Sequence, residues 1–342
     1  MGYNRGETIE KSNGMSYEQE KQIAIAAVTL AAQLCQRVRQ TIKPETIEKR
    51  DRSPVTIADF GSQAVICKLL SEAFPADPIV AEEDAATLVE ADMASYLAQV
   101  TEHVQALIPT ATDQAVVDWI NRGNGQVGQR FWTLDPIDGT KGFLRGEQYA
   151  VALALIEDGE VKVGALACPA LPIDPQDPQT GSLYVAVRHE GATRMALPIA
   201  APGGEPQPIQ VMPATQTDRF CFVESVESGH GDQTQQQAIA QAVGITAPSL
   251  RMDSQAKYAV VSDGQATLYL RLPSPKTPDY REKIWDHAAG SIVVEEAGGK
   301  VTDMHGQPLD FSSDYKMNQN QGVVVSNGAC HEAVIAALAV AP

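Results

Sequence analysis

The chain has 342 residues, 44 % of them hydrophobic, and a formal net charge of −17. That length suits one large domain or two packed ones, and no apolar run approaches the ~18–20 residues of a helical membrane span. The negative balance disfavours nucleic-acid polymers as partners, while a small phosphorylated ligand stays admissible wherever bound cations reverse the local sign.

Residues 1–15 mix Asn, Gly, Glu and Lys without an apolar block. They lack the pattern of a secretory signal, and Gly6 stands where myristoylation wants Ser or Thr. Their composition predicts a disordered lead-in. A first helix is expected from about Ser16, where Ser16 and Gln19 fit a capping box and Ile23, Ala27, Leu30, Leu34 and Val38 recur at helical spacing. A second runs from about Ala58 to Ala73, and Pro78 to Ala81 reads as a short strand. Residues 85–125 read as a helical insert. Phe131 to Leu134 reads as a strand that ends at Pro136, because proline cannot donate to a ladder. Tyr149 to Ile156 and Val161 to Ala167 form a hairpin about Asp158-Gly159. Residues 170–180, rich in proline, read as a loop and a seam between halves. A second hairpin turns at Glu190-Gly191. Strands at 219–223, 266–271, 299–302 and 322–325 then alternate with helices at 234–243, 255–262, 286–297 and 330–339. The pattern is layered α/β with mixed sheets. Cys35, Cys67, Cys168, Cys221 and Cys330 have neither metal-ligand nor redox spacing. They read as free thiols in a reducing compartment, which makes the expected location cytoplasmic.

The most informative segment is Leu134-Asp135-Pro-Ile-Asp138-Gly-Thr140. Two acids three residues apart around a tight turn can face one point, and Ile137 offers a backbone carbonyl between them. Hard divalent cations prefer such oxygen ligands. An ordinary Asp-Gly turn explains the same residues. Other acids occupy similar places, however. Glu82-Glu83-Asp84 follows the apolar run Ile79 to Ala81. Asp286 opens a predicted helix, where it also fits as an N-cap. Asp59 opens the second helix, where it fits equally as a first-turn acid facing the dipole. Spacing alone does not bring these acids together.

The segment Trp132 to Ala150, with Asp135-Pro-Ile-Asp-Gly-Thr-Lys-Gly142, resembles the signature of the inositol-monophosphatase-like superfamily. A second signature is matched by Ile284-Trp-Asp-His-Ala-Ala-Gly290 followed by Glu296-Ala-Gly-Gly299. Glu82-Glu83 matches the acidic pair nearer the N-terminus. Three motifs in order make a specific signal, and the resemblance runs from about residue 16 to the end. Within the superfamily the chain is most similar to the 3′(2′),5′-bisphosphate nucleotidases. Ser53-Pro-Val-Thr56, Asp59, Lys141 to Gln148, Asp253 to Tyr258 and Tyr269 to Pro273 carry that likeness.

The resemblance implies an α/β chain in an inositol-monophosphatase/fructose-bisphosphatase-like α-β-α-β-α sandwich. An α+β N-terminal half would span residues 16–165 and an α/β C-terminal half residues 166–342. It implies two or three Mg²⁺ ions held by Glu82, Asp135, the Ile137 carbonyl, Asp138 and Asp286, with Glu83 beside them. Thr140 and Asp59 would orient a water and take its proton. His230, Ser254, Lys257 and Arg271 would bind the nucleotide. The expected activity is removal of the 3′-phosphate of adenosine 3′,5′-bisphosphate, and of 3′-phosphoadenylyl sulfate, in sulfur metabolism, with inhibition by lithium. The alternative is an inositol monophosphatase or an inositol polyphosphate 1-phosphatase. The expected partner is a small phosphate ester, met by a monomer that engages neither nucleic-acid polymer nor membrane.

Overall fold

The computed structural model describes residues 16–41, 46–48, 54–197, 204–227, 233–274, 277 and 279–340. The expected lead-in over residues 1–15 and the expected ligand His230 lie outside the described residues.

In chain order, helix α1 (Glu18–Thr41) is followed by strands β1 (Thr46–Glu48) and β2 (Pro54–Thr56), then by α2 (Ile57–Ala73) and β3 (Ile79–Ala81). The predicted insert is helical: α3 (Ala94–Gln105) and α4 (Asp113–Asn121). Next come β4 (Arg130–Asp138), α5 (Thr140–Arg145), β5 (Ala150–Glu157), β6 (Glu160–Asp174), β7 (Asp177–Val187), β8 (Gly191–Ala196) and β9 (Gln207–Pro208). The last stretch contains β10 (Phe222–Glu224), α6 (Gln233–Ala242), β11 (Leu250–Arg251), α7 (Ala256–Ser262) and β12 (Leu268–Arg271). It closes with α8 (Ala288–Glu296), β13 (Lys300–Thr302), β14 (Val323–Ser326) and α9 (His331–Val340). The first helix starts two residues after the expected capping Ser16.

Strands β3 to β9 form one seven-stranded sheet in sequential order, with β3 and β4 parallel and the other pairs antiparallel. Alternation of side chains loads its two faces differently. Trp132, Leu134, Val151, Leu153 and Ala165 face a core shared with α1 and α2. Phe131, Ala152, Ala154, Leu166 and Tyr184 face a second core shared with α7 and α8. The second sheet has the order β11-β10-β12-β14-β13, and its Val223, Tyr269, Val323 and Val325 close that middle core. Its other face, with Phe222, Leu268 and Val324, packs on α6 and α9. The layers therefore run helix, sheet, helix, sheet, helix, as expected.

Two local expectations change. The strand carrying the acidic signature does not stop at Pro136; β4 continues to Asp138. The ladder with β5 shifts register between Asp135 and Asp138, and such an irregularity tolerates the missing N–H. Residues 170–180 are not a free loop. They form the paired ends of β6 and β7, with Pro172 opposite Gly181 and Asp174 opposite Asp177, again through register shifts. Strand β6 also runs unbroken through residue 165. All five cysteines are free, and among the described residues no helix is long and apolar enough to cross a membrane.

Candidate active site

Parallel pairing builds the acidic wall. Ala81 at the end of β3 lies opposite Leu134 of β4, and the Glu82 N–H donates to the Leu134 carbonyl at 3.2 Å. Glu82 is thereby set abreast of Asp135. Asp135 is 2 % exposed, and its Oδ1 accepts the Ile137 N–H at 3.1 Å. Asp138 ends the strand. Gly139 then reverses the chain into α5 with φ +87°, a left-handed conformation that suits glycine. A Cβ there would also meet the Ser254 Cβ at 2.9 Å. Asp286 arrives from the other half of the chain, on a short 3-10 turn (Ile284–Asp286) that leads into α8. Carboxylate oxygens of Asp135, Asp138 and Asp286 all lie within 4.8 Å of one another.

Such crowding is electrostatically unfavourable. Burial first, then the charges of Glu82, Asp138 and Asp286, push Asp135 well above the usual carboxylate range. Burial also raises Asp138, although Lys257, Arg271 and the Gln255 N–H draw it down. Asp286 is pushed up to about 7, chiefly by burial. A hard divalent cation with an all-oxygen ligand preference relieves this repulsion, so the residues present fit such an ion. Glu282, Asp286 and His287 form a second close set. There the Glu282 carboxylate already has Arg271 as its partner at 2.8 Å.

Beside the acids stands a hydroxyl relay. Thr56 caps α2, and Asp59 at the third helical position completes a capping box. The Thr56 N–H and Oγ1 both donate to Asp59 Oδ2, at 2.8 and 2.6 Å. Asp59 Oδ1 accepts from Thr140 Oγ1 at 3.2 Å, and the Ile137 carbonyl lies 3.3 Å from the same hydroxyl. Asp59 is therefore a capping residue and a partner of Thr140 at once.

A cavity of about 880 Å³ opens over these groups. Glu82, Asp135, Ile137, Asp138, Thr140 and Asp286 line it, and so do Ser254, Lys257 and Arg271. Glu83 is not part of the lining. Its N–H donates to Gln63 Oε1 at 3.0 Å and its carbonyl accepts from Gln63 Nε2, which fixes the backbone behind Glu82. Lys257 is 2 % exposed, and burial lowers its ammonium to about 8. Its Nζ sits 5.1 Å from the Tyr269 ring centroid. Ser254 adopts φ +68°, which directs the next N–H, that of Gln255, onto Asp138 Oδ2 at 2.6 Å.

Several residues in and behind the cavity wall carried no separate signal in the sequence. Glu282 pairs with Arg271, Tyr269 and Tyr280 face it, and Arg145 of α5 bridges to Glu227 and Asp253. His287, next to Asp286, is buried with its Nδ1 2.7 Å from the Tyr258 hydroxyl, a structural role.

The model of the inositol monophosphatase family matches residues 17–341. The chain belongs to this family. Among its curated relatives, a 3′(2′),5′-bisphosphate nucleotidase of Emericella nidulans is 44 % identical, over 95 % of this chain and 98 % of that protein. A nucleotidase of the same name from Schizosaccharomyces pombe is also 44 % identical, over 95 % and 96 % of the two chains. Solved structures share the family fold. The inositol monophosphatase of Anabaena aligns with TM-score 0.59 at 21 % identity, over 95 % of this chain and 97 % of that one. The extragenic suppressor protein suhB of Bartonella henselae aligns with TM-score 0.64 at 20 % identity, over 94 % and 98 %.

Proposed function

We propose that this chain is a Mg²⁺-dependent 3′(2′),5′-bisphosphate nucleotidase. It would release the 3′-phosphate of adenosine 3′,5′-bisphosphate as inorganic phosphate and leave AMP. The observation that carries this reading is one cavity with two chemistries. A cluster of carboxylates and the side chains of Lys257 and Arg271 line the same cavity, close enough for the two cationic groups to draw down Asp138. A single phosphate ester needs only the acidic side with its cations. The buried Lys257 ammonium and the half-buried Arg271 guanidinium suit a second phosphate on the same molecule, and Arg271 offers the fork geometry for it. The relatives that match over nearly the whole chain carry the nucleotidase name.

Glu82, Asp135, the Ile137 carbonyl, Asp138 and Asp286 would hold the ions. When bound, Mg²⁺ supplies charge neutralisation for the transferring phosphoryl group and lowers the pKa of water. The chain's own residues do the rest. Thr140 Oγ1 accepts a proton from the attacking water as its own hydrogen moves to Asp59 Oδ1. Asp59 Oδ2 is already satisfied by Thr56, so Oδ1 is the oxygen left to receive it. Lys257 and Arg271 hold the phosphate that is not cleaved, and Ser254 presents a hydroxyl beside it. A 5′-phosphosulfate would extend from the same position, so 3′-phosphoadenylyl sulfate is a second substrate of this reading.

Phosphate release with Mg²⁺ on adenosine 3′,5′-bisphosphate and on inositol 1-phosphate tests the proposal. A preference of about 100-fold in kcat/KM for the nucleotide, near 2.7 kcal/mol, is expected. Equal or better cleavage of inositol 1-phosphate would overturn the nucleotide assignment while leaving the acidic site standing.

A further inference from the structure

Arg271 presents a puzzle of placement. It ends β12, lines the cavity and exerts its charge on both Asp138 and Asp286. A half-buried guanidinium beside a carboxylate cluster ordinarily pairs with a member of that cluster. Here its Nε donates to Glu282 Oε2 at 2.8 Å instead. Glu282 is itself fixed. His287 Nε2 lies 3.3 Å from the same oxygen, and His287 Nδ1 meets the Tyr258 hydroxyl at 2.7 Å. The Glu282 carbonyl accepts the Met317 N–H at 2.9 Å. Glu282 also precedes Asp286 by one short turn, so a single segment carries both the partner of Arg271 and an acid of the metal wall.

We propose that Glu282 is a positioning residue for substrate selection. Its carboxylate pins Arg271 toward the uncleaved phosphate. This rests on the nucleotidase reading above. With Nε held by Glu282, the rest of the guanidinium is shared between the Tyr269 and Tyr280 side chains and the cavity. Without Glu282 the guanidinium loses the partner that fixes its orientation.

The test compares the parent with Glu282→Gln on adenosine 3′,5′-bisphosphate and adenosine 3′-monophosphate. KM for the bisphosphate is expected to rise about tenfold or more, the scale of one charge-assisted hydrogen bond. KM for the monophosphate and kcat on both substrates should stay within about threefold, since the monophosphate makes no use of Arg271. In an Arg271→Gln background, Glu282→Gln should add nothing further. Equal weakening of both substrates, or additive losses in the two backgrounds, would overturn the proposal. If Glu282→Gln does not fold, Glu282→Asp keeps the charge on a shorter arm. It should shift KM for the bisphosphate alone, and a shift shared by both substrates or absent from both refutes the role. A parent enzyme with no preference for the bisphosphate over the monophosphate sinks the nucleotidase reading itself, a result visible before any variant is made.

Discussion

Asp286→Asn is expected to stabilise the metal-free protein while destroying its catalysis. Asp286 titrates near 7 against an ordinary 3.8. A carboxyl held that high disfavours the charged folded state by up to about 4 kcal/mol, at about 1.4 kcal/mol per pH unit. Asp286 keeps some contact with cavity water, so screening brings the expected figure to roughly 2 kcal/mol. The sign follows from proton counting. Between about pH 4 and 7 the folded state keeps a proton that the unfolded state has lost, so stability falls as pH rises and then levels off. Buried His331, lowered to about 4, works the other way, because the folded state resists its protonation. The difference between parent and variant cancels that contribution. Thermal melts in a chelator should show Asp286→Asn gaining progressively from about pH 4 to 7, by a few degrees at the plateau. With saturating Mg²⁺ the order should reverse, because the parent gains binding energy that the variant lacks. A chelated difference that is flat with pH, or of opposite sign, would refute the picture of a carboxyl raised by burial and by neighbouring acids.

Three further outcomes are expected. Asp59→Asn should lower kcat by about 10²–10⁴ with little change in KM, as loss of a proton acceptor does; a change confined to KM would count against the Thr140 relay. Lys257→Met should raise KM for the bisphosphate, and in the parent kcat/KM should decline above about pH 8 as the Lys257 ammonium loses its proton; a profile that Lys257→Met leaves unaltered would argue against it. In Gly290→Ala the new Cβ would lie 2.4 Å from Tyr258 Cγ, inside the middle helical layer. Overpacking of about 1–3 kcal/mol should appear in chemical denaturation, and a neutral result would show that the layer yields more readily than its packing suggests.

The acids of the site were legible because their neighbours in sequence are also neighbours in space. Asp135, Ile137, Asp138 and Thr140 fall within one strand end and one turn. The order of hairpins and helices was equally local, written in alternation and turn residues. What escaped was set by partners far along the chain. That Asp138 rests on the Gln255 N–H, 117 residues away, is not encoded in either segment alone. Glu282 reads as one more charge in Arg281-Glu282-Lys283 until Arg271 is placed against it. Pro136 misled because a ladder irregularity absorbs a proline that a regular ladder would reject. The prolines of 170–180 misled in the same way, at a pair of strand ends where register shifts leave room. Of the pair Glu82-Glu83, spacing alone does not choose; the resemblance singles out Glu82, and pairing to β4 shows how it reaches the cavity.

The Asp138–Gln255 bond also bears on the order in which the protein becomes active. Strand β4 and its acids leave the ribosome more than a hundred residues ahead of the segment that supports Asp138, and Asp286 follows later still. Contacts of such long sequence separation form late, after the loop between them has been closed. A nascent or interrupted chain can fold the hairpins of its first sheet and still have no assembled cluster of acids. Turnover of a phosphate ester thus reports docking of the two sheets on the middle helical layer, and loss of that docking would silence the enzyme before its secondary structure melts.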